Sequence, residues 1–325
     1  MKNVRIIGLL LLMIVAACSP TDNASPEEIE SIRLPMGFIA DPQYAPFYVA
    51  VEKGYFAEAG YEIEFDYSFE TDGIALVGAG ELPFAIVSGE QVILARAQNL
   101  PVVYVMEWFQ EFPIALVTKT ETGINTPADL AGRQVGVPGF FGATYVGYIG
   151  LLSANGLSLD DVETTDIGFT QVESLRSDQV EVVAGYVNNE PIQLEAQGED
   201  VRVFPVADYI DMVANGIITN ETMVSENPER VEAFVHAFLR GLADTLADPD
   251  GAYEISKNFV EGLDDSRMPV LEASLALWEA DTLGETEASS WVQTEEILLQ
   301  INLLDAPVPD LDRAYTNEFI IGNQP

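Results

Sequence analysis

The chain of 325 residues carries 53 Asp+Glu against 14 Lys+Arg, a formal net charge of −39; such a chain offers no basic face to displace counterions from phosphates, so no nucleic-acid partner is expected. One Cys and one His leave no intramolecular disulfide, no Cys-based zinc site and no imidazole cluster, so catalysis by triad or metal is poorly supported and no cofactor is expected. At about 100–200 residues per domain the length suggests two lobes, and 48% hydrophobic residues supply enough apolar material for two cores.

Lys2 and Arg5 precede an apolar run from Ile6 to Ala17, too short to span a bilayer and fitting the core of a secretory signal. The run ends in Val15-Ala16-Ala17-Cys18-Ser19, which resembles the bacterial lipobox, whose Cys becomes the lipidated (palmitate-type) first residue of the mature protein. Residues 1–17 are therefore expected to be a signal peptide and residues 18–31, polar with Pro20 and Pro26, a tether. A cleaved signal with an incidental Cys is the plainer alternative. The expected location is the extracytoplasmic face of the cell membrane, with the anchor at Cys18.

Ile32 to Ile39 reads as a strand broken by Asp41-Pro42, and Pro46 to Phe56 as a helix ending at a Gly. Tyr61 to Tyr67 alternates again, Asp72 to Ala79 is a short helix closed by Gly80, and Phe84 to Val87 is a strand bounded by Ser88-Gly89. Glu90 to Asn99 (helix) and Val102 to Met106 (strand) come next. After Asn125-Thr126-Pro127 a second series begins: strand Gln134 to Val137, helix Thr144 to Ala154, strand Val162 to Ile167, strand Val180 to Val187, helix Glu190 to Ala196 and strand Val201 to Val206. Asn227-Pro228-Glu229 then opens a long amphipathic helix, and helices dominate to the C-terminus. Repeated β-helix-β units imply α/β lobes, each a mostly parallel sheet flanked by helices. Segments Pro113 to Lys119 and Val213 to Asn220 are the expected crossings and hinge. Lobe 1 is then residues 32–117 plus 218–325, and lobe 2 residues 118–217.

Pro46-Phe47-Tyr48-Val49-Ala50-Val51-Glu52-Lys53-Gly54-Tyr55-Phe56 resembles the "Y-x-A-x-x-K-G-Y-F" helix of bacterial solute-binding proteins for nitrate, sulfonates, taurine and thiamine-type pyrimidines. Thr126-Pro127-Ala128-Asp129-Leu130-Ala131-Gly132-Arg133-Gln134-Val135-Gly136-Val137 and Asn188-Asn189-Glu190-Pro191 come in the expected order. The resemblance implies a type II periplasmic-binding-protein fold that closes on a small molecule and hands it to ABC permease and ATPase subunits, with no chemistry performed. The aromatic-rich first loop and the Asn-x-Glu-Pro segment look most like the branch that binds pyrimidines and flavins.

In open α/β sheets ligands sit beyond the carboxyl ends of strands, which directs attention to five loops. They hold Asp41, Gln43 and Tyr44; Ser88 and Glu90; Trp108; Phe140, Phe141, Thr144 and Tyr145; and Tyr186, Asn188 and Glu190. These are the candidate ligand-binding residues. The loops contain no Lys or Arg, whereas a tight receptor for nitrate, a sulfonate or taurine normally offers a cation. Helix N-termini can still bind an anion through backbone N–H groups alone.

Trp, Tyr and Phe faces suit a planar ring, and Gln43, Asn188 and Glu190 suit its polar edge. For each aromatic the alternative is a core position, Asp41 before Pro42 has turn-shaping as its alternative, and Glu190 at a helix start has a first-turn role as its alternative. The expected ligand is a neutral aromatic vitamin, riboflavin ahead of a formylaminopyrimidine-type thiamine precursor, with taurine or a sulfonate third. A fungal thiamine-pyrimidine synthase resembles this family, but its chemistry uses a His and a Cys-rich iron motif; here Cys18 lies in the export signal and His236 within the C-terminal helix. A ligand sensor without transport remains a third class.

Overall fold

The computed structural model describes residues 29–320; the signal peptide, Cys18 and most of the 18–31 tether lie outside the described residues. Among the described residues the strands are, in order, β1 Glu30–Gly37, β2 Tyr61–Phe69, β3 Ala85–Ser88, β4 Val102–Glu107, β5 Ile114–Lys119, β6 Gln134–Val137, β7 Glu163–Asp166, β8 Val182–Tyr186, β9 Val201–Pro205 and β10 Asn215–Asn220. In the first lobe β1 and β2 pair in parallel, with Ile32 opposite Ile63 and Leu34 opposite Phe65. β1 lies against β3, which belongs to the sheet β3-β10-β4, where β10 runs antiparallel to both neighbours. The second lobe is one sheet in the order β7-β6-β8-β5-β9. There β6 is parallel to β7 and β8, and β5 is antiparallel to β8 and β9.

The two lobes share one plan. In each, the strand that runs antiparallel to its neighbours is the one that arrives from the other lobe: β5 directly follows β4, and β10 directly follows β9. The expected boundaries fall inside these strands. A break at 117/118 would cut through β5, and one at 217/218 would cut through β10, although each strand pairs along its length within a single sheet. The crossings are the segments before these strands, 108–113 and 206–214.

The first-lobe core explains the long C-terminal helix. In Pro228–Ala247 the residues Val231, Phe234, Val235, Phe238, Leu239 and Leu242 are all fully buried, each worth roughly 1.5–3 kcal/mol relative to exposure. They pack on the helix Ala45–Glu52, where the Phe47 and Phe238 rings lie 4.3 Å apart. That helix stops at Glu52, short of the expected Phe56, because Gly54 takes φ +77° and a separate short helix, Tyr55–Glu58, follows it. In the second lobe Val117, Ile167, Val172, Leu175, Val180, Val183 and Leu194 form a separate small core. No helix among the described residues is long and apolar enough to cross a membrane.

Candidate functional site

The carboxyl ends of the parallel strands in both lobes converge on one cleft. Its wider part encloses about 500 Å³ of unfilled space, some of it open to solvent, lined by Phe38, Phe69, Glu70, Phe141, Phe169, Gln171, Tyr186 and Glu190 among others. A narrower part of about 270 Å³ continues past Gly37, Phe38, Glu70 and Tyr186 to Gln43, Tyr44, Trp108, Phe109 and Asn215.

Four phenylalanines form the mouth, two from each lobe. Phe38 and Phe69 follow or end β1 and β2, while Phe141 and Phe169 lie in the loops after β6 and β7. Phe38 meets Phe169 edge-on at 4.9 Å, Phe69 meets Phe141 edge-on at 4.9 Å, and Phe69 lies 5.2 Å from Phe169. None of the four is fully buried, so their faces remain available to a planar ring.

Behind this ring of aromatics lies a polar network centred on Glu70. The chain passes from β2 into the helix Glu70–Gly78 without a loop, because Phe69 is still extended (φ −70°, ψ 152°) when the helix starts. Glu70 thus stands at the cleft. Its Oε1 accepts from Asn215 Nδ2 at 3.0 Å and its Oε2 from Ser88 Oγ at 3.0 Å, and the Ala143 N–H of the other lobe also donates to it. Asn215 Oδ1 in turn accepts from the Tyr186 hydroxyl at 3.1 Å. Gly37 has φ +82°, and a Cβ there would lie 2.8 Å from Glu70 Cγ. A side chain at 37 would displace the carboxyl.

Ser88 Oγ also lies 2.5 Å from Glu90 Oε1, yet a hydroxyl has one proton to give. For both contacts to be hydrogen bonds, one carboxyl must carry a proton and donate it. Burial pushes both Glu70 and Glu90 above the ordinary carboxylate range, and the neighbouring Glu90 charge raises Glu70 further. Glu190, which accepts from the Tyr186 N–H at 2.7 Å, is raised by burial to about 7. Burial thus weakens the negative charge that these carboxyl groups carry near neutral pH. At its narrow end two buried polar atoms, Trp108 Nε1 and Gln43 Oε1, have no hydrogen-bond partner in the protein, so one donor and one acceptor there are unused.

Of the residues singled out from the sequence, Gln43, Tyr44, Trp108, Phe141, Thr144, Tyr186 and Glu190 line the cleft. The others do not. Ser88 and Glu90 lie behind Glu70 in the network just described. Phe140, 53% exposed, packs edge-on against Tyr145 at 5.7 Å away from the cavity. Asp41 is buried against Arg267 and receives the Gln43 N–H at 3.1 Å; burial raises its carboxyl, with Arg267 opposing. Asn188 Nδ2 donates to Ser274 Oγ across the lobes at 2.7 Å, and Asn189 Nδ2 lies 3.5 Å from Asp41. Asp41 and Asn188 thus join the lobes beside the cavity. The expectation of a cleft region without cations is corrected by Arg267, which comes from a C-terminal segment outside the five loops. Its charge is matched by Asp41, and no Lys or Arg is among the described residues lining the cavity.

Phe38, Phe69, Glu70, Phe169, Gln171 and Asn215 are lining residues that the sequence alone does not single out. The rule of strand carboxyl ends carries their signal, but the visible alternation stops at Tyr67 whereas β2 runs on to Phe69, and this hides both Phe69 and Glu70. No group of three or more His, Cys, Asp or Glu side chains positioned to hold a metal occurs among the described residues.

Comparison with known proteins agrees with this architecture. The chain is 40% identical to the riboflavin-binding protein RibY of Chloroflexus aurantiacus over 98% of both chains. It is 30% identical to the formylaminopyrimidine-binding protein of Halalkalibacterium halodurans over 95% of this chain and 97% of that one. The alkanesulfonate-binding protein SsuA of Xanthomonas axonopodis pv. citri, solved bound to MOPS, shares the fold with a TM-score of 0.72 at 13% identity, covering 89% of this chain and 99% of the other. These similarities bear out the type II two-lobed fold and the family resemblance read from the Pro46–Phe56 helix. The model of the family described as NMT1/THI5 like matches residues 41–252, and the chain belongs to that family.

Proposed function

We propose that this chain is the extracytoplasmic solute-binding lipoprotein of an ABC importer, that it performs no chemistry, and that its solute is a neutral aromatic vitamin, riboflavin. The observation that carries the reading is the cleft: four part-exposed phenylalanine faces contributed equally by two lobes, a polar floor of amide, hydroxyl and buried carboxyl groups whose ionisation burial opposes, and no lining cation. A three-ring isoalloxazine has two large apolar faces for the phenylalanines. Its dione edge alternates carbonyl acceptors with one N–H donor, which suits the unpartnered Trp108 Nε1 and Gln43 Oε1 at the narrow end. Gln171, Thr144 and Glu190 are available to the hydroxylated tail. The 40% identity to a riboflavin-binding protein supports the same choice.

A formylaminopyrimidine is the second reading, supported by the 30% relative; its single ring would use fewer of the aromatic faces. An enzymatic role draws little support. His236, the one histidine, sits in the helix Pro228–Ala247, apart from the cleft lining. Titration calorimetry with riboflavin, its phosphate, formylaminopyrimidine and taurine compares the readings directly. Riboflavin is expected to bind most tightly, and its phosphate more weakly because no lining cation meets the added charge. Silence with riboflavin and heat with formylaminopyrimidine would transfer the function to the precursor; tight taurine binding would reject both.

A further inference from the structure

We propose that Glu70 is the specificity-determining residue that keeps anions out of this cleft, by occupying the helix terminus where an anionic solute would otherwise dock. The 13-residue helix Gly142–Ala154 starts at the cavity wall, and helix N-termini collect anions through free N–H groups and the helix dipole. Here that position is already filled from the opposite lobe. The Ala143 N–H donates to the Glu70 carboxyl, and a Cβ built on Gly142 would stand 3.9 Å from Glu70 Oε2. The carboxyl is fixed there by two further buried partners, Ser88 Oγ and Asn215 Nδ2, each at 3.0 Å. Backbone at Gly37 leaves room for this side chain and for no other substituent.

Glu70 lines both the wide and the narrow part of the cavity, so an anion placed anywhere along it meets this group. Ionised, the carboxyl repels a second negative charge; protonated, it donates to Ser88 and still consumes the Ala143 N–H. The same group therefore rejects a sulfonate or phosphate and accepts an uncharged ring. It is also one of the contacts made only when the two lobes meet.

The inference rests on the proposed reading of the cleft as the solute site, but its test does not require that riboflavin be the solute. Methanesulfonate and sulfate are titrated calorimetrically into the wild-type chain, Glu70→Ala, Glu70→Gln and the control Glu64→Gln, which alters an exposed strand residue. Riboflavin is titrated in parallel, and far-UV circular dichroism reports folding. The expected result is anion binding at least roughly tenfold tighter in Glu70→Ala than in wild type, a smaller gain in Glu70→Gln, whose amide still fills the terminus, and none in Glu64→Gln. If Glu70→Ala does not fold, Glu70→Gln decides. A folded Glu70 variant that gains no anion binding, or an equal gain in Glu64→Gln, overturns the proposal. Failure of riboflavin alone to bind any of the four proteins would reject the solute assignment and leave the anion comparison standing.

Discussion

Substituting Asn188 by Ala separates lobe closure from folding. Asn188 follows β8 in the second lobe, and its Nδ2 donates at 2.7 Å to Ser274 Oγ in the first-lobe helix Met268–Trp278. Both groups are buried. Ser274 uses its own proton on the Val270 carbonyl at 2.7 Å, so Asn188→Ala leaves no orphaned donor behind, and it also removes Asn188 Oδ1, a buried acceptor without a partner. The loss is therefore a single neutral hydrogen bond, about 0.5–1.5 kcal/mol. With the lobes apart, water would satisfy both side chains. The cost then falls on closure, and riboflavin affinity is expected to drop by roughly 2- to 12-fold while the melting temperature of the ligand-free chain stays in place. Calorimetric titration and a thermal melt measure the two quantities on one preparation. A lowered ligand-free melting temperature with unchanged affinity would refute the reasoning, because it would place the bond inside a unit that never opens.

Three further outcomes are expected. Phe169→Ala removes a half-buried face from the cavity mouth and should weaken riboflavin by about 1–3 kcal/mol, the range for ring stacking on aromatics; a change below a factor of about two would remove Phe169 from the site. Glu190 is raised from 4.5 to about 7, so the folded state holds its proton more tightly than the unfolded chain, and the associated stability, roughly 3 kcal/mol at most, is present below pH 4.5 and lost as pH rises to about 7. Denaturant unfolding at pH 5 and pH 8 should show that slope in the wild type and a flatter one in Glu190→Gln; equal slopes would contradict the buried-carboxyl account. Cys18→Ser should release the protein from membranes, since anchoring through acyl chains is lost, and unchanged fractionation would refute the lipobox reading.

The sequence announced the architecture wherever periodicity and breakers coincided. The βα alternation and the amphipathic face of Pro228–Ala247 are local patterns that appear where the spacing put them, whereas the expected Pro46–Phe56 helix is broken at Gly54. The site was legible in part for the same reason: Trp108, Phe141 and Glu190 follow strands, and Tyr186 ends one, in the stretches where the alternation was visible. Glu70 was hidden because no Gly, Pro or capping side chain separates β2 from the helix Glu70–Gly78. Arg267 lies 226 residues from its partner Asp41, a distance at which no local pattern operates. Phe140 and Phe141 are adjacent and chemically alike, and only the turn into Gly142–Ala154 decides that Phe141 faces the cavity while Phe140 turns to Tyr145.

The central claim, that this cleft captures a flavin between aromatic faces, is tested most directly by titrating the protein into riboflavin and following the flavin's own fluorescence. Stacked aromatic contact predicts strong quenching that saturates at one protein per flavin and is reversed by non-fluorescent competitors only if they share the ring system. Fluorescence that stays constant through a stoichiometric excess of folded protein would contradict it.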